Sequence, residues 1–501
     1  MEVVRSEVTK DSLIESLLKL QCHFTWNLSG EGMDIDNVEE RIYEQIEFLN
    51  YDNKHRMYNL LAYLKHLKGD NDEAILQLQK AETLIQVNNS LDGLNVERIV
   101  MYGNYAWVFY HESQFMKSFA YVKKVDNILK KYESPSMQNT LLLEIYSEKS
   151  WIYFTCSGEN CEKSYEKAAE YFEKVLELDP ENPDLNSGYA IVVYRLENIN
   201  LSKNQTDRSV SLLRKAVQLN PNDRVLKTLL ALKYEDLGIY WQAEKLIKEA
   251  LKGPECPFVL RYVAKFYRRK HMNHQAITLL EKALDLTPKS ASLHYQLGIC
   301  YKKVTEQSER SEYQTRLNGH PAETYTEQKA KAISKARFFF ERAVELKTTF
   351  VTAYMVLAKV YVKAGEYQKA EETFHKTLSM KNITSIEKQE LHYSWACYER
   401  DDKNSQSEAI RHLKEAIMIK KQSFFRKDAM EDLKSLAETL ITHKSDDPTG
   451  FGLLGFIHQQ DSQDNLATEY YRKASQLDPG NQEYLQALST LQPTFSCPHD
   501  N

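Results

Sequence analysis

The sequence predicts an all-α chain of stacked helical hairpins, and three observations carry that reading. A spacing recurs: Ala276, Leu280, Ala283 and Pro288; Ala467, Tyr471, Ala474 and Pro479; Ala168, Phe172, Val175 and Pro180. A looser copy is Ser209, Leu213, Ala216 and Pro221. Ala243 falls between Ser209 and Ala276, about 34 residues from each, which is the tetratricopeptide period. The composition, 42% hydrophobic and 27% charged with 16 Gly and 12 Pro in 501 residues, leaves little room for long flexible tracts. A repeat of this kind cannot bury its own apolar face and must stack on its neighbours. The predicted architecture is therefore a tetratricopeptide-repeat superhelical solenoid.

Each hairpin is legible in order. The first helix of a pair carries a small residue where the second packs close, and the second presents Ala, a large apolar residue and Ala on one face. The first clear pair uses Tyr58, Leu61 and Ala62, then Ala74, Leu78 and Ala81. The next uses Tyr105, Ala106 and Phe109 against Ser118, Val122 and Val125. Trp151 opens a third, whose second helix holds the Ala168 set and ends at Asp179-Pro180-Glu181-Asn182-Pro183, a helix stop. Gly188-Tyr189-Ala190 begins its successor, which closes at Asn220-Pro221. Leu230, Ala231 and Tyr234 pair with Ala243, Ile247 and Ala250, and Val263, Ala264 and Tyr267 pair with Ala276, Leu280 and Ala283. After Leu297-Gly298 and Tyr301 the partner helix is delayed by a polar interval from about Thr305 to Glu327, a loop or a helix extension. It resumes at Ala336, Phe340 and Ala343. Leu357, Ala358, Tyr361, Ala370 and Phe374 form the cleanest copy, Ala396, Ala409, Leu413 and Ala416 a weaker one, and Leu454-Gly455 with Ala467, Tyr471 and Ala474 the last. The expected organisation is N-terminal repeats over 1–140, central repeats over 141–304, a polar segment over 305–330, C-terminal repeats over 331–490 and a loose tail over 491–501.

Several functions are excluded. Seven scattered Cys include no C-x2-C pair, and the C-x4-C pair of Cys156 and Cys161 has no matching His pair, so neither a metal site nor a disulfide framework is expected. The first twenty residues mix charge into their apolar positions, unlike a signal peptide. No apolar run approaches membrane-spanning length, and a cytoplasmic location is expected. Gly450-Phe451-Gly452-Leu453-Leu454-Gly455 matches a dinucleotide fingerprint, but no strand precedes it and Gly455 is the small residue of a repeat helix. No catalytic constellation or cofactor motif occurs, so an enzyme is not expected. The net charge of −6 does not favour nucleic acid as a partner, yet a local basic lining is what steers an anion.

The densest basic stretch is Arg261-Tyr262-Val263-Ala264-Lys265-Phe266-Tyr267-Arg268-Arg269-Lys270. With Val263, Ala264 and Tyr267 assigned to packing, Arg261, Lys265 and Arg268 stand at i, i+4 and i+7 on one face. In a tetratricopeptide stack that face lines the concave side. Cations gathered in a groove are costly unless an anion neutralises them. Tyr262 offers a ring for base stacking, and Tyr295, Gln296, Lys302 and Lys303 extend the lining from the next repeat. The alternative is a solvated basic face matched by acidic neighbours.

Leu20-Gln21-Cys22-His23-Phe24-Thr25-Trp26-Asn27, Asn59-Leu60-Leu61-Ala62-Tyr63, Lys65-His66-Leu67-Lys68-Gly69 and Ala264-Lys265-Phe266-Tyr267-Arg268-Arg269-Lys270 resemble the interferon-induced proteins with tetratricopeptide repeats. The similarity covers nearly the whole chain. It implies an antiviral cytosolic protein, and for several members the sequestration of viral single-stranded RNA by a 5′ triphosphate or a cap lacking 2′-O-methylation. It also implies homo- or hetero-oligomers within the family and contacts with translation-initiation or signalling proteins. Neither a membrane nor DNA is implied. By the same resemblance Arg41 and Gln45 match residues near the first phosphates and the cap. Trp151 matches the aromatic that stacks on the cap base, with Leu49 and Ile191 around it. Tyr165 and Arg195 match further pocket residues, and Arg261, Tyr262, Lys265, Arg268 and Gln296 the phosphate and first-nucleotide contacts. For Trp151, a core position in its own repeat is the alternative.

The departures from the family pattern are local. Thr155 stands where RNA-binding members carry a lysine, with Lys149 a nearby cation that could compensate. Phe258 replaces a tyrosine, Tyr295 a histidine of some members, a few residues are added around Ser157–Lys163, and Glu438-Thr439-Leu440-Ile441-Thr442-His443 carries little charge. Arg195 and the Arg261-Tyr262 pair favour the RNA-end-binding branch. Thr155 and the acidic total favour the other branch, a protein-interaction scaffold.

Overall fold

The computed structural model describes residues 10–28, 33–49, 53–88, 96–132, 134–156, 161–199, 206–317, 323–381 and 383–491. Residues 157–160 of the added segment around Ser157–Lys163, 318–322 of the polar interval and 492–501 of the tail lie outside the described residues. Among those described there are 24 α-helices, one 3-10 turn at His23–Thr25 and no strand. The chain divides into two compact units, 1–293 and 294–501.

In the first unit the helices are α1 (Lys10–Leu18), α2 (Ile35–Phe48), α3 (Lys54–Leu67), α4 (Asn71–Asn88), α5 (Arg98–His111), α6 (Phe115–Leu129) and α7 (Pro135–Thr155). They continue as α8 (Cys161–Leu178), α9 (Pro183–Ile199), α10 (Thr206–Leu219), α11 (Arg224–Asp236), α12 (Tyr240–Ala250), α13 (Pro257–Arg269) and α14 (Asn273–Leu286). The division falls in the first turn of α15 (Ala291–Leu317). The second unit follows with α16 (Glu323–Leu346), α17 (Val351–Lys363), α18 (Tyr367–Leu378), α19 (Ser385–Asp401) and α20 (Gln406–Met418). It ends with α21 (Phe424–His443), α22 (Pro448–Gln460), α23 (Asp464–Leu477) and α24 (Gln482–Leu491). The polar interval is a helix extension on both sides: α15 runs on to Leu317 and α16 starts at Glu323.

Hairpin closure follows the spacing. Ala168, Phe172 and Val175 are fully buried, as are Ala276 and Ala283, and Ala467 and Ala474. At several places a glycine of one helix faces a ring of a neighbouring helix. A Cβ on Gly188 would meet Phe172 Cζ at 2.4 Å and Trp151 Cζ2 at 2.9 Å. On Gly298 it would meet Phe340 at 2.8 Å, and on Gly455 Tyr471 at 2.9 Å. Several turns between paired helices put one residue in the left-handed region. Gly69, Gly238 and Gly365 take it at φ +81°, +74° and +75°, while Ser113, His271, Asn404 and Ser462 take it at +58°, +60°, +53° and +58°.

The Cys22-His23-Phe24-Thr25-Trp26 block forms the 3-10 turn and is sunk into the first unit. Cys22, His23 and Trp26 are buried. The Asn104 side chain binds both the His23 backbone N–H (3.2 Å) and His23 Nδ1 (2.8 Å), and Tyr153 donates to the Trp26 carbonyl at 2.6 Å. Burial holds His23 down at about 3 and pushes the buried Glu148 carboxyl up to about 8.

The second unit holds its own polar pair. Arg411 Nη2 donates to His412 Nε2 at 2.8 Å, which leaves the His412 proton on Nδ1, 3.1 Å from the His392 Nδ1 that accepts it. Both rings are buried, and Trp395 stacks on His412 at 4.2 Å. Burial first, then the Arg411 charge, lowers His392 to about 4 and His412 to about 3.

Two predictions follow from this packing. Gly188→Ala has no room beside the fully buried Phe172 and should cost about 1–3 kcal/mol; chemical denaturation reads the loss, and pairing it with Phe172→Leu should recover part. Folded His392 and His412 favour the neutral form, whereas unfolded histidine protonates near pH 6.5. Their contribution is intact above that pH and is lost as the pH falls from there toward about 4, at up to about 1.4 kcal/mol per pH unit for each ring. Rate-corrected hydrogen exchange in α19 and α20 should lose protection between pH 7 and 5; a flat profile contradicts this.

Candidate nucleic-acid interface

The site begins with α2. Its last turn reaches residues far along the chain: Phe48 and Leu49 pack on the apolar cluster that also receives Ile191, Phe258 and Tyr262, and Cys256 Sγ lies 3.8 Å from the Phe48 carbonyl. Nearly two turns from its start, Arg41 Nη2 donates to the Thr155 carbonyl at 2.6 Å, at the C-terminal end of α7. The helix thus runs from the end of α7 to the start of α13, and Arg41, Gln45 and Leu49 lie one turn apart along it.

Cations from three helices converge beside it. Arg195, on α9, donates through Nη2 to the Tyr262 hydroxyl at 2.7 Å. The Arg261 guanidinium lies 5.2 Å from the Tyr262 ring centroid and 5.4 Å from that of Phe258. Burial alone would raise the Tyr262 phenol, but Arg195, Arg261 and Lys265 outweigh it and hold it below its ordinary value. Lys265 is held down by burial and by Arg269, Arg268 and Arg195, partly offset by Tyr262. Burial also lowers Arg41; Tyr165 opposes this, and Arg195 and Arg261 add to it. The Arg195 charge is reinforced chiefly by Tyr262, against its own burial. Its buried Nε has no hydrogen-bond partner among the described residues. These mutual effects place Arg41, Tyr165, Arg195, Arg261, Tyr262 and Lys265 in one electrostatic neighbourhood within the first unit.

The basic stretch on α13 is split by face. Arg269 pairs with Asp236 at 2.7 Å and Glu235 at 3.4 Å, and Lys270 pairs with Glu244. Arg261, Lys265 and Arg268 lie along one face, with Arg269 one turn past Lys265 at its edge, and are half-buried. Gln296 lies on α15 in the second unit. Tyr295, also there, packs its ring on Phe340 (5.7 Å) and Phe350 (5.0 Å), and Lys302 pairs with Glu306 at 2.7 Å.

Trp151 is 9% exposed and edges onto Phe172 at 5.5 Å. It is both a core residue of its repeat and a wall of a small cavity of about 20 Å³, lined also by Asn53, Arg56, Met57, Ile152 and Asp184. Tyr165 is buried with its ring 5.8 Å from Phe154. Sequence reasoning missed three of these neighbours. Glu44, the α2 carboxyl beside Arg261 and Arg41, is raised by burial against both charges. Asp184 sits just past the Asp179–Pro183 helix stop, in the first turn of α9, and Arg56 is tied to Glu144 at 2.8 Å. The Thr155 hydroxyl is turned back to the Trp151 carbonyl at 2.8 Å. Lys149 does not compensate for it: its ammonium is held by Gln21 at 3.0 Å, over the Trp26 and Tyr171 rings.

Tetratricopeptide repeat profiles match residues 55–88, 162–182 and 353–385. The human antiviral innate immune response effector IFIT1 is 41% identical over 465 residues, 92% of this chain and 95% of the relative. The chain belongs to the interferon-induced proteins with tetratricopeptide repeats. Within this family, a monomeric mutant of IFIT1 solved with Gppp-AAAA superposes with a TM-score of 0.81 at 40% identity, covering 93% of this chain and all of that one. The human IFIT1 dimer solved with PPP-AAAA gives 0.77 at 40% identity, covering 93% and 99%.

The Arg195–Tyr262 bond joins α9 to α13, and its loss is measurable. Tyr262→Phe leaves a desolvated guanidinium without its acceptor. It should lower stability by about 1–3 kcal/mol in chemical denaturation. An unchanged midpoint and slope would show that the bond carries no load.

Proposed function

We propose that this family member is a non-catalytic, cytoplasmic antiviral protein that holds single-stranded viral RNA by its 5′ end and keeps it from translation. The observation that carries the reading is the cluster of Arg41, Arg195, Arg261 and Lys265 around Tyr262, desolvated and short of carboxylates, with Glu44 the acid beside it. Such a cluster is relieved by an anion whose charge is held at several points, which a chain of phosphates supplies. Likeness to IFIT1 chains solved with Gppp-AAAA and PPP-AAAA supports the same ligand. In this reading Arg195, Arg261, Lys265 and Arg268 neutralise phosphates. Trp151 stacks on a cap base beside Leu49 and Ile191, and Arg41, Gln45 and Tyr165 border the first phosphates. A 2′-O-methyl group would meet close-packed atoms or displace a hydrogen bond. The IFIT1 dimer supports oligomers with the chain itself or its relatives as further partners.

Thr155 shifts the preference. Where a lysine would add a charge-assisted contact worth about 1.5–3 kcal/mol, this chain has a hydroxyl bonded to its own helix. Triphosphate ends should therefore bind about one to two decades more weakly than they would with that lysine, and capped ends should be preferred.

One panel tests the reading: capped, 2′-O-methylated capped and triphosphate oligonucleotides against wild type and the Arg195→Ala/Arg261→Ala variant. Wild type should bind the unmethylated cap best, with affinity falling steeply as salt rises. The variant should lose at least about a hundredfold, two charged contacts at about 1.5–3 kcal/mol each. Equal affinities of the two proteins would remove the site.

A further inference from the structure

The outward face of α12, one hairpin before α13, matches no need of the fold. The helix buries Ala243, Ile247 and Ala250. On its other side Trp241 is 68% exposed, and Tyr240, the first residue of the helix, is 56% exposed. Neither ring meets another ring or a cation among the described residues. Trp241 is followed at i+4 and i+7 by Lys245 and Lys248, and just past the helix end by Lys252, all exposed and along one ridge. None of the three makes an ion pair among the described residues.

The acids that should balance them are engaged elsewhere. Glu244 pairs with Lys270 of α13, and Glu249 with Lys227 of α11 at 2.9 Å. The Glu244 carboxyl is held below its ordinary value by Lys270 and, more weakly, by Lys248; that of Glu249 is held down by Lys227 and then by Lys245 and Lys252. Two carboxylates therefore face five ammonium groups, an excess of three positive charges beside two uncovered aromatic rings. An acidic peptide would satisfy the charges and leave the rings in water. A flexible polyanion with flat faces satisfies both, since stacking on exposed aromatics accepts any base.

We infer that this ridge is a second, outer contact for single-stranded RNA, with bases stacking on Tyr240 and Trp241 and phosphates pairing with Lys245, Lys248 and Lys252. The choice of RNA rests on the function proposed above, and the contact is to the body of the strand rather than its 5′ end. It adds affinity that grows with RNA length and is indifferent to the cap.

The test uses the full chain and two probes, an unstructured 20-nucleotide RNA with a 5′ hydroxyl and a capped tetranucleotide. The variants are Tyr240→Ala/Trp241→Ala and Lys245→Glu/Lys248→Glu, all exposed positions. Each variant should bind the 20-mer about tenfold more weakly at low salt. The charge variant should also lower the slope of log affinity against log salt by about 1.4, and the capped tetranucleotide should bind both as it binds wild type. Wild-type affinity of both variants for the 20-mer would overturn the inference. So would a loss confined to the charge variant, or loss of a bound protein with RNA affinity unchanged. Failure of the capped tetranucleotide to bind wild type, with the ridge effects intact, would sink the 5′-end site and leave the ridge standing.

Discussion

The stack depends on a contact in which one partner has almost no side chain. Where Gly188 meets Phe172, Gly298 meets Phe340 and Gly455 meets Tyr471, two helices approach until ring atoms occupy the space a Cβ would need. The ring buries its apolar area against backbone, and the paired helices fix each other's rotation. The first of these contacts also reaches the proposed site. Trp151 Cζ2 shares the space over Gly188, so the packing of α9 on the hairpin before it also sets one wall of the cavity with Asn53, Arg56 and Asp184. A residue can be structural and still line a cavity.

The cations of the first unit are positioned by the same logic. Helices of a repeat point side chains at fixed angular intervals, so Arg261, Lys265 and Arg268 share a face while Arg269 and Lys270 turn to acids on neighbouring hairpins. Left alone, the first face would be an ordinary solvated one. It is α2 that changes this, crossing from Thr155 to Cys256 and bringing Phe48 and Leu49 onto the apolar cluster that Tyr262 also joins. Desolvated like charges store repulsion that an incoming anion releases. A site of this kind gives up stability while empty and regains it when filled.

Much of this was legible in the sequence because it is periodic. The Ala, ring, Ala spacing marked the buried face of the second helices, and the i, i+4, i+7 row of cations marked the charged face of α13. What could not be read is what periodicity does not encode. The left-handed turn residues Ser113, His271, Asn404 and Ser462 give no signal of the kind Gly69, Gly238 and Gly365 give. The return of α2 across more than two hundred residues is a tertiary event, and with it the placement of Glu44 beside Arg261. The tautomer-locked His392–His412 pair joins two helices that each read as ordinary repeat helices. Lys149 was near Thr155 in number only; a helix sends residues six apart to different sides, and its ammonium sits over Trp26 and Tyr171.

The 3-10 turn near the N-terminus bears on how the chain comes to be made. Asn104 grips His23 from 81 residues away, and Tyr153 reaches the Trp26 carbonyl from 127. A ribosome delivers the turn first and its binding partners much later. Until α7 has emerged, the apolar rings of that turn have no complete socket, and the opening hairpins wait, unsealed, for a helix still inside the exit tunnel.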